Sequence, residues 1–213
     1  EGYHQSAVGH LSPFIHECRT YYLNSRYISR NKGHEYLESN VDFFKKVFCA
    51  TKNINTVIEL GCNIGLNLQA LHQINSKLKL CGYEINENAV NKARELNIAS
   101  IHHETIIENI PANIKYDLSF TKGVLIHINP NELDNVYNNL YNLSNRYILI
   151  CEYYNPTPVT IEYRGHGELL FKRDFAGELI DKYNLRLVDY GFIYHRAPRY
   201  PQDDNTWFLL EKS

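Results

Sequence analysis

The sequence predicts a doubly wound α/β fold, with a mostly parallel sheet of seven strands, an antiparallel last strand and helices ahead of the first strand. Three observations lead there. Short apolar, β-branched runs alternate with segments whose apolar residues recur at helical spacing. A glycine-punctuated turn, Gly61-Cys62-Asn63-Ile64-Gly65, joins one such run directly to a helix. The last two runs are separated by a polar segment with no room for a crossover helix, so they pair antiparallel.

The elements follow in order. Residues 1–13 read as irregular, and a short helix is predicted over 14–23. A clearer helix covers 34–48, where Leu37, Val41, Phe44 and Phe48 share one face. The first strand is 55–60, its helix 65–74, and the second strand 78–85. Asn86-Glu87-Asn88 caps a helix reaching residue 96, with acid in its first turn. A weak third strand covers 100–107 and a fourth 116–121. A loop over 122–130 leads into a helix at 132–143. The fifth strand, 146–152, is continuously apolar, as a strand buried on both faces should be. A polar insertion over 153–172 comes next, then a helix at 174–183, a sixth strand at 185–194 and a final strand at 205–211. The chain reads as one domain over 1–213, with a helical lid in 1–50 and a sheet core in 51–213.

Composition narrows the function classes. A chain of 213 residues suffices for one α/β domain with a substantial core. The formal net charge is −2 and no basic block stands out, which disfavours a nucleic-acid partner. No apolar run reaches the length of a membrane span and no signal peptide is visible, so the expected location is cytoplasmic, with no membrane partner. Five widely spaced cysteines with no Cys-x-x-Cys pair read as reduced thiols.

The chemistry concentrates at the first two strand ends. Glu59 closes the first strand and Glu84 the second, one βα unit further along. A carboxylate at the second position accepts both hydroxyls of a ribose. A dinucleotide loop would read Gly-x-Gly-x-x-Gly, so that pyrophosphate meets a helix N-terminus. Here the order is Glu-x-Gly-x-Asn-x-Gly. Asn63 replaces the second glycine and Gly65 comes one position early. That loop suits a ligand without phosphate and with a zwitterionic tail. A nicotinamide-dependent oxidoreductase of similar layout is the weaker alternative.

These residues resemble motif I of the class I S-adenosylmethionine-dependent methyltransferases, whose sheet is Rossmann-like. The resemblance runs from about Val57 to the C-terminus and implies S-adenosylmethionine as cofactor, with S-adenosylhomocysteine as product. It implies that Gly61, Asn63 and Gly65 bring main chain against the methionine moiety and ribose. Glu59 would orient the loop or hold the amino group, and Glu84 would take the ribose hydroxyls. Thr105 either contacts adenine or is an ordinary exposed strand end. Thr121 and Lys122 would lie near the sulfonium. His127 is either a general base, its ordinary pKa of about 6.5 lying near working pH, or a brace for the following helix. An activated methyl donor needs little help from a base.

The insertion gathers Tyr154, Asn155, Arg164, His166 and Lys172, which packing alone does not require. It reads as the loop that recognises the acceptor. Tyr154 joins His127 as a candidate catalytic residue; Asn155, Arg164, His166 and Lys172 are candidate acceptor-binding residues. Their cations suit a carboxylate or phosphate. The wording at 151–159, 163–166 and 170–178 is similar to the methylases associated with pseudaminic acid biosynthesis, as are 27–31 and the ending with Asp189-Tyr190-Gly191-Phe192 and Thr206-Trp207-Phe208. That resemblance implies a small-molecule acceptor, a sugar-derived hydroxyl or amine related to a nonulosonic acid. Pro201-Gln202-Asp203-Asp204 lacks the histidine and further acid a metal site needs, so no metal is expected. A non-catalytic cofactor-binding module of the same fold stands as the alternative.

Overall fold

Strand order is the feature that positions the site. In the computed structural model, which describes residues 33–163 and 168–213, seven strands form one sheet in the order β3-β2-β1-β4-β5-β9-β8. They are β1 (Thr56–Leu60), β2 (Lys79–Glu84), β3 (Ala99–His103), β4 (Tyr116–Lys122), β5 (Ser144–Glu152), β8 (Arg186–Ile193) and β9 (Asn205–Glu211). The first five run parallel, and β9 is antiparallel to both β5 and β8. The order reverses between β1 and β4, and in open α/β sheets ligands bind beyond the carboxyl ends of the strands at such a point.

Side-chain alternation along the strands sorts the helices into two layers. One face of the sheet carries Val57, Leu118, Phe120, Leu149 and Leu209. On it pack α1 (Gly33–Cys49), α2 (Leu66–Ile74) and α3 (Glu87–Glu95). The other carries Ile58, Leu60, Ile148, Ile150 and Leu210 under α4 (Leu133–Leu143) and α5 (Phe175–Tyr183). α1 is fastened by Phe44, which is fully buried and meets Phe120 edge-on at 5.3 Å. Burying one such ring stabilises by roughly 2–3 kcal/mol. The N-terminus of α3 is capped by Asn86, whose Oδ1 accepts the Ala89 N–H at 3.0 Å. α5 starts the same way, with Asp174 accepting from Gly177 at 2.8 Å.

Residues 34–213 form one compact unit. The helix expected over 14–23, the similarity at 27–31 and most of the segment expected to form a lid lie outside the described residues. What is described of that segment, α1, packs through Phe43, Phe44 and Val47 as a layer of the core.

Two expectations are corrected. The third strand ends at His103, four residues early, because the next stretch finds another partner. Asn139 of α4 accepts the Ile110 N–H at 3.0 Å and donates to the carbonyls of Ile106 and Glu108 at 2.9 and 2.6 Å. The insertion is not a plain loop. Its two arms, β6 (Val159–Tyr163) and β7 (Glu168–Lys172), pair antiparallel from Val159↔Lys172 to Tyr163↔Glu168 as a separate hairpin. β7 packs on the segment that follows β4, where Leu170 is buried in the core under α4 and α5.

Candidate cofactor pocket and active site

β1 and β2 end level with each other, Leu60 opposite Tyr83. The Tyr83 carbonyl accepts the N–H groups of both Gly61 and Cys62, at 2.8 and 2.9 Å, so the chain turns as soon as the strand stops. Gly61, Asn63 and Gly65 hold φ of 84°, 49° and 81°. Glycine enters this left-handed region freely, and asparagine tolerates it best of the remaining residues. This is why Asn63 can stand in a glycine's place. Its side-chain oxygen also accepts the Ile64 N–H at 2.7 Å.

Neither flanking glycine faces empty space on its Cβ side. A Cβ on Gly61 would lie 2.7 Å from a Val124 methyl, and one on Gly65 would lie 3.0 Å from Leu96 and 3.4 Å from Ala93. Close protein packing therefore adds to the backbone demand for glycine at both positions.

Glu84 braces the turn from the neighbouring strand. One oxygen accepts the Asn63 N–H and the other the Asn86 N–H, each at 2.8 Å. A carboxylate has about four lone-pair sites, so two remain for hydroxyl donors.

Glu59 is fully buried at the end of β1. Asn67, in the first turn of α2, donates to its Oε1 at 2.6 Å, while Oε2 is buried without a hydrogen-bond partner among the described residues. Burial pushes the carboxyl up to about 8; the Asn67 bond and the charge of Lys122 oppose this, and the charge of Glu84 adds to it. Lys122, at the end of β4 on the α1 side, reaches the Tyr36 hydroxyl at 3.3 Å and lies over the rings of Tyr36 and Phe43 at 5.3 and 5.9 Å. Glu59, Gly61, Asn63, Gly65, Glu84 and Lys122 thus gather at the ends of the adjacent strands β1, β2 and β4.

Thr121 does not join them. Strand alternation turns it to the other face, beside Glu152 at the end of β5. Glu152 is buried and pushed up to about 7; the N–H groups of Val124, Leu125 and Ile126 and the Thr121 hydroxyl oppose that shift. Its Oε1 accepts from Val124 at 3.0 Å and so orders the short turn Leu125–His127. His127 closes that turn through its own N–H to the Val124 carbonyl at 2.9 Å.

Thr105 lies past the end of β3, where its hydroxyl accepts the Ile107 N–H at 3.4 Å. Tyr154 is exposed, pairs through its backbone with Arg173, and sets its ring 5.8 Å from that of Phe208. The Asn155 amide closes its own turn onto the Thr157 carbonyl at 2.5 Å. Lys172 lies over the Tyr153 ring at 5.1 Å. Arg164 and His166 lie outside the described residues. The motif near the C-terminus is tied down: Gln202 donates to Asn40 of α1 at 2.9 Å, and Asp204 accepts from the backbone and Nδ1 of His195 at 2.8 and 2.9 Å. No three metal-ligating side chains come together among the described residues.

Sequence reasoning missed Asn67, Val124 and Glu152. The available signal for Asn67 was a polar side chain in the first turn of an otherwise apolar helix start, two residues past Gly65. Glu152 was legible only as the last residue of a strand.

No protein-family model and no curated protein matches the chain. Solved structures do. The magnesium protoporphyrin IX methyltransferase of Synechocystis PCC 6803 with bound S-adenosylmethionine superposes with a TM-score of 0.60 at 15% identity, over 96% of this chain and 86% of that one. The DesVI protein of Streptomyces venezuelae gives 0.64 at 12% identity, over 92% and 98%. The plantazolicin methyltransferase BpumL, in complex with S-adenosylhomocysteine, gives 0.64 at 16% identity, over 94% and 92%. The chain has the class I methyltransferase fold that these structures share.

Proposed function

We propose that the protein is an S-adenosylmethionine-dependent methyltransferase acting on a small polar acceptor, a sugar-derived hydroxyl or amine related to a nonulosonic acid. One observation carries the cofactor part. Two carboxylates stand at adjacent strand ends on either side of a left-handed turn, one bracing the loop with lone pairs to spare and the other presenting a buried oxygen with no partner among the described residues. That pair fits a ligand with vicinal hydroxyls at one end and an ammonium at the other. Neighbours of this fold with that cofactor or its product bound support the same reading.

When bound, S-adenosylmethionine supplies a methyl group already activated on a sulfonium. The residues here bind and orient. Glu84 accepts hydroxyl donors and keeps the loop in register through Asn63. Glu59 faces the ammonium end. Lys122, held by Tyr36 and Phe43, fixes the α1 side of the site. The β6–β7 hairpin, lying on the turn that carries His127, shields that turn from water. Tyr154, Asn155, Arg164, His166 and Lys172 select the acceptor, the cations matching its carboxylate. His127 takes the acceptor's proton.

A thermal-shift comparison tests the cofactor: S-adenosylhomocysteine should raise the melting temperature and NAD should not. Incubating sugar-nucleotide extracts with methyl-labelled cofactor, followed by mass spectrometry, tests the acceptor. A mass gain confined to other metabolites would reject the sugar assignment. Binding with no transfer to any fraction would favour a non-catalytic module.

A further inference from the structure

The buried carboxyl of Glu59 has an environment that an ordinary ligand-binding acid lacks. Among the described residues it has one donor, Asn67, on one oxygen, and nothing on the other. The Asn67 side-chain oxygen is itself buried without a partner among the described residues. Among the described residues, the titratable groups facing Glu59 are few. Glu84 stands at the tip of β2, Cys62 on the turn, and Lys122 at the tip of β4, drawn toward Tyr36 of α1. Of these only Lys122 favours a charge on Glu59. An isolated buried carboxylate with a single neutral donor is costly, and a carboxyl in such a place keeps its proton.

We propose that Glu59 is a neutral carboxylic acid in the free protein, oriented by Asn67 so that its second oxygen is left without a protein partner, and that it ionises only when the ammonium of the adenosyl cofactor binds there. Cofactor binding then releases a proton. The O–H bond of Glu59 breaks, its proton passes to solvent, and the carboxylate pairs with the ligand's ammonium, which keeps its own protons. Asn67 is a positioning residue: it fixes the rotamer and, as a donor, eases ionisation. This inference rests on the cofactor reading above and adds the charge state of the site and the residue that controls it. The shift of the Glu59 carboxyl to about 8 by burial agrees with it.

The test is calorimetry with S-adenosylhomocysteine as the probe, between about pH 5.5 and 8.5, in pairs of buffers differing in ionisation enthalpy. The ligand's own titration is measured separately and subtracted. Near pH 6 close to one proton should leave per ligand bound, and affinity should rise by about tenfold for each pH unit until it levels near pH 8. Glu59→Gln should bind with no proton release and a flat profile. Asn67→Leu, lacking the donor, should move the levelling point to higher pH. Binding by the wild type with no proton release and a flat profile would overturn the inference and leave the cofactor reading standing. An Asn67→Leu loss of the same factor at every pH would overturn the role given to Asn67. No binding at any pH would instead remove the cofactor reading itself. The proton count needs only the wild-type protein, so it decides the matter even where a variant folds poorly.

Discussion

The Asn63 N–H points at Glu84 Oε2 from 2.8 Å, so the side chain proposed to read a ribose also holds the turn beneath it. Glu84→Ala removes both functions. It leaves the N–H groups of Asn63 and Asn86 without their acceptor and takes away the lone pairs offered to the hydroxyls. Hydrogen bonds to a charged group contribute about 1.5–3 kcal/mol each. Affinity for S-adenosylhomocysteine should therefore fall by at least about tenfold. Calorimetry checks this, and unchanged affinity would remove Glu84 from the pocket.

Gly61→Ala should damage the fold for two separable reasons. The new Cβ would stand 2.7 Å from Val124, and the backbone is held at φ 84°. Overpacking costs about 1–3 kcal/mol, and a left-handed side chain about 1–2 kcal/mol. Val124→Ala in the same chain should restore the steric part and leave the backbone part. Urea unfolding of the single variants and the pair measures the coupling. Strict additivity would mean that the two residues do not press on each other.

How far the sequence reached follows from how local each signal is. The turn from Gly61 to Gly65, the two strand-end carboxylates and the alternation of strands with helices are written within a few residues of one another, so they were readable. The hairpin was not. Its first arm, Val159-Thr160-Ile161-Glu162-Tyr163, does alternate apolar and polar residues, but it lies inside a polar stretch that reads as a loop; Val159 and Ile161 are exposed, and only Leu170 of the hairpin's described side chains reaches the core. Asn40 and Gln202 join across the length of the chain, and no local pattern announces such a bond. Thr121 and Lys122 were grouped because they are adjacent, but adjacency on a strand separates side chains to opposite faces.

Asn139 accounts for the early end of β3 and supplies the next expectation. It is 1% exposed and makes three hydrogen bonds to the segment 106–110. Asn139→Leu keeps the branching at Cγ but strands the Ile110 N–H and two carbonyls. Leaving a buried group unsatisfied costs about 1–3 kcal/mol. With three groups stranded, the melting temperature should drop by at least roughly 6 °C, at about 2–4 °C per kcal/mol for a chain of this size. An unchanged melting temperature would show that the segment finds other partners.

The two buried strand-end acids set the sign of the pH dependence of stability. Glu59 and Glu152 sit near 8 and 7 when folded, against an ordinary value of 4.5. Between these limits the folded protein holds protons that the unfolded chain has released. Their contribution to stability is therefore complete at low pH, falls as pH rises through 5 to 8, and levels above that range. Each group can contribute a slope of up to about 1.4 kcal/mol per pH unit. Other groups add slopes of their own, so the measurement is the difference between wild type and variants. Glu152→Gln keeps the acceptor for the Val124 N–H and cannot ionise. It should flatten the urea-midpoint profile between about pH 5 and 7, and Glu59→Gln should flatten it up to about pH 8. An unchanged profile in either variant would mean that the folded protein holds that carboxyl charged, which for Glu59 would also contradict release of its proton on cofactor binding.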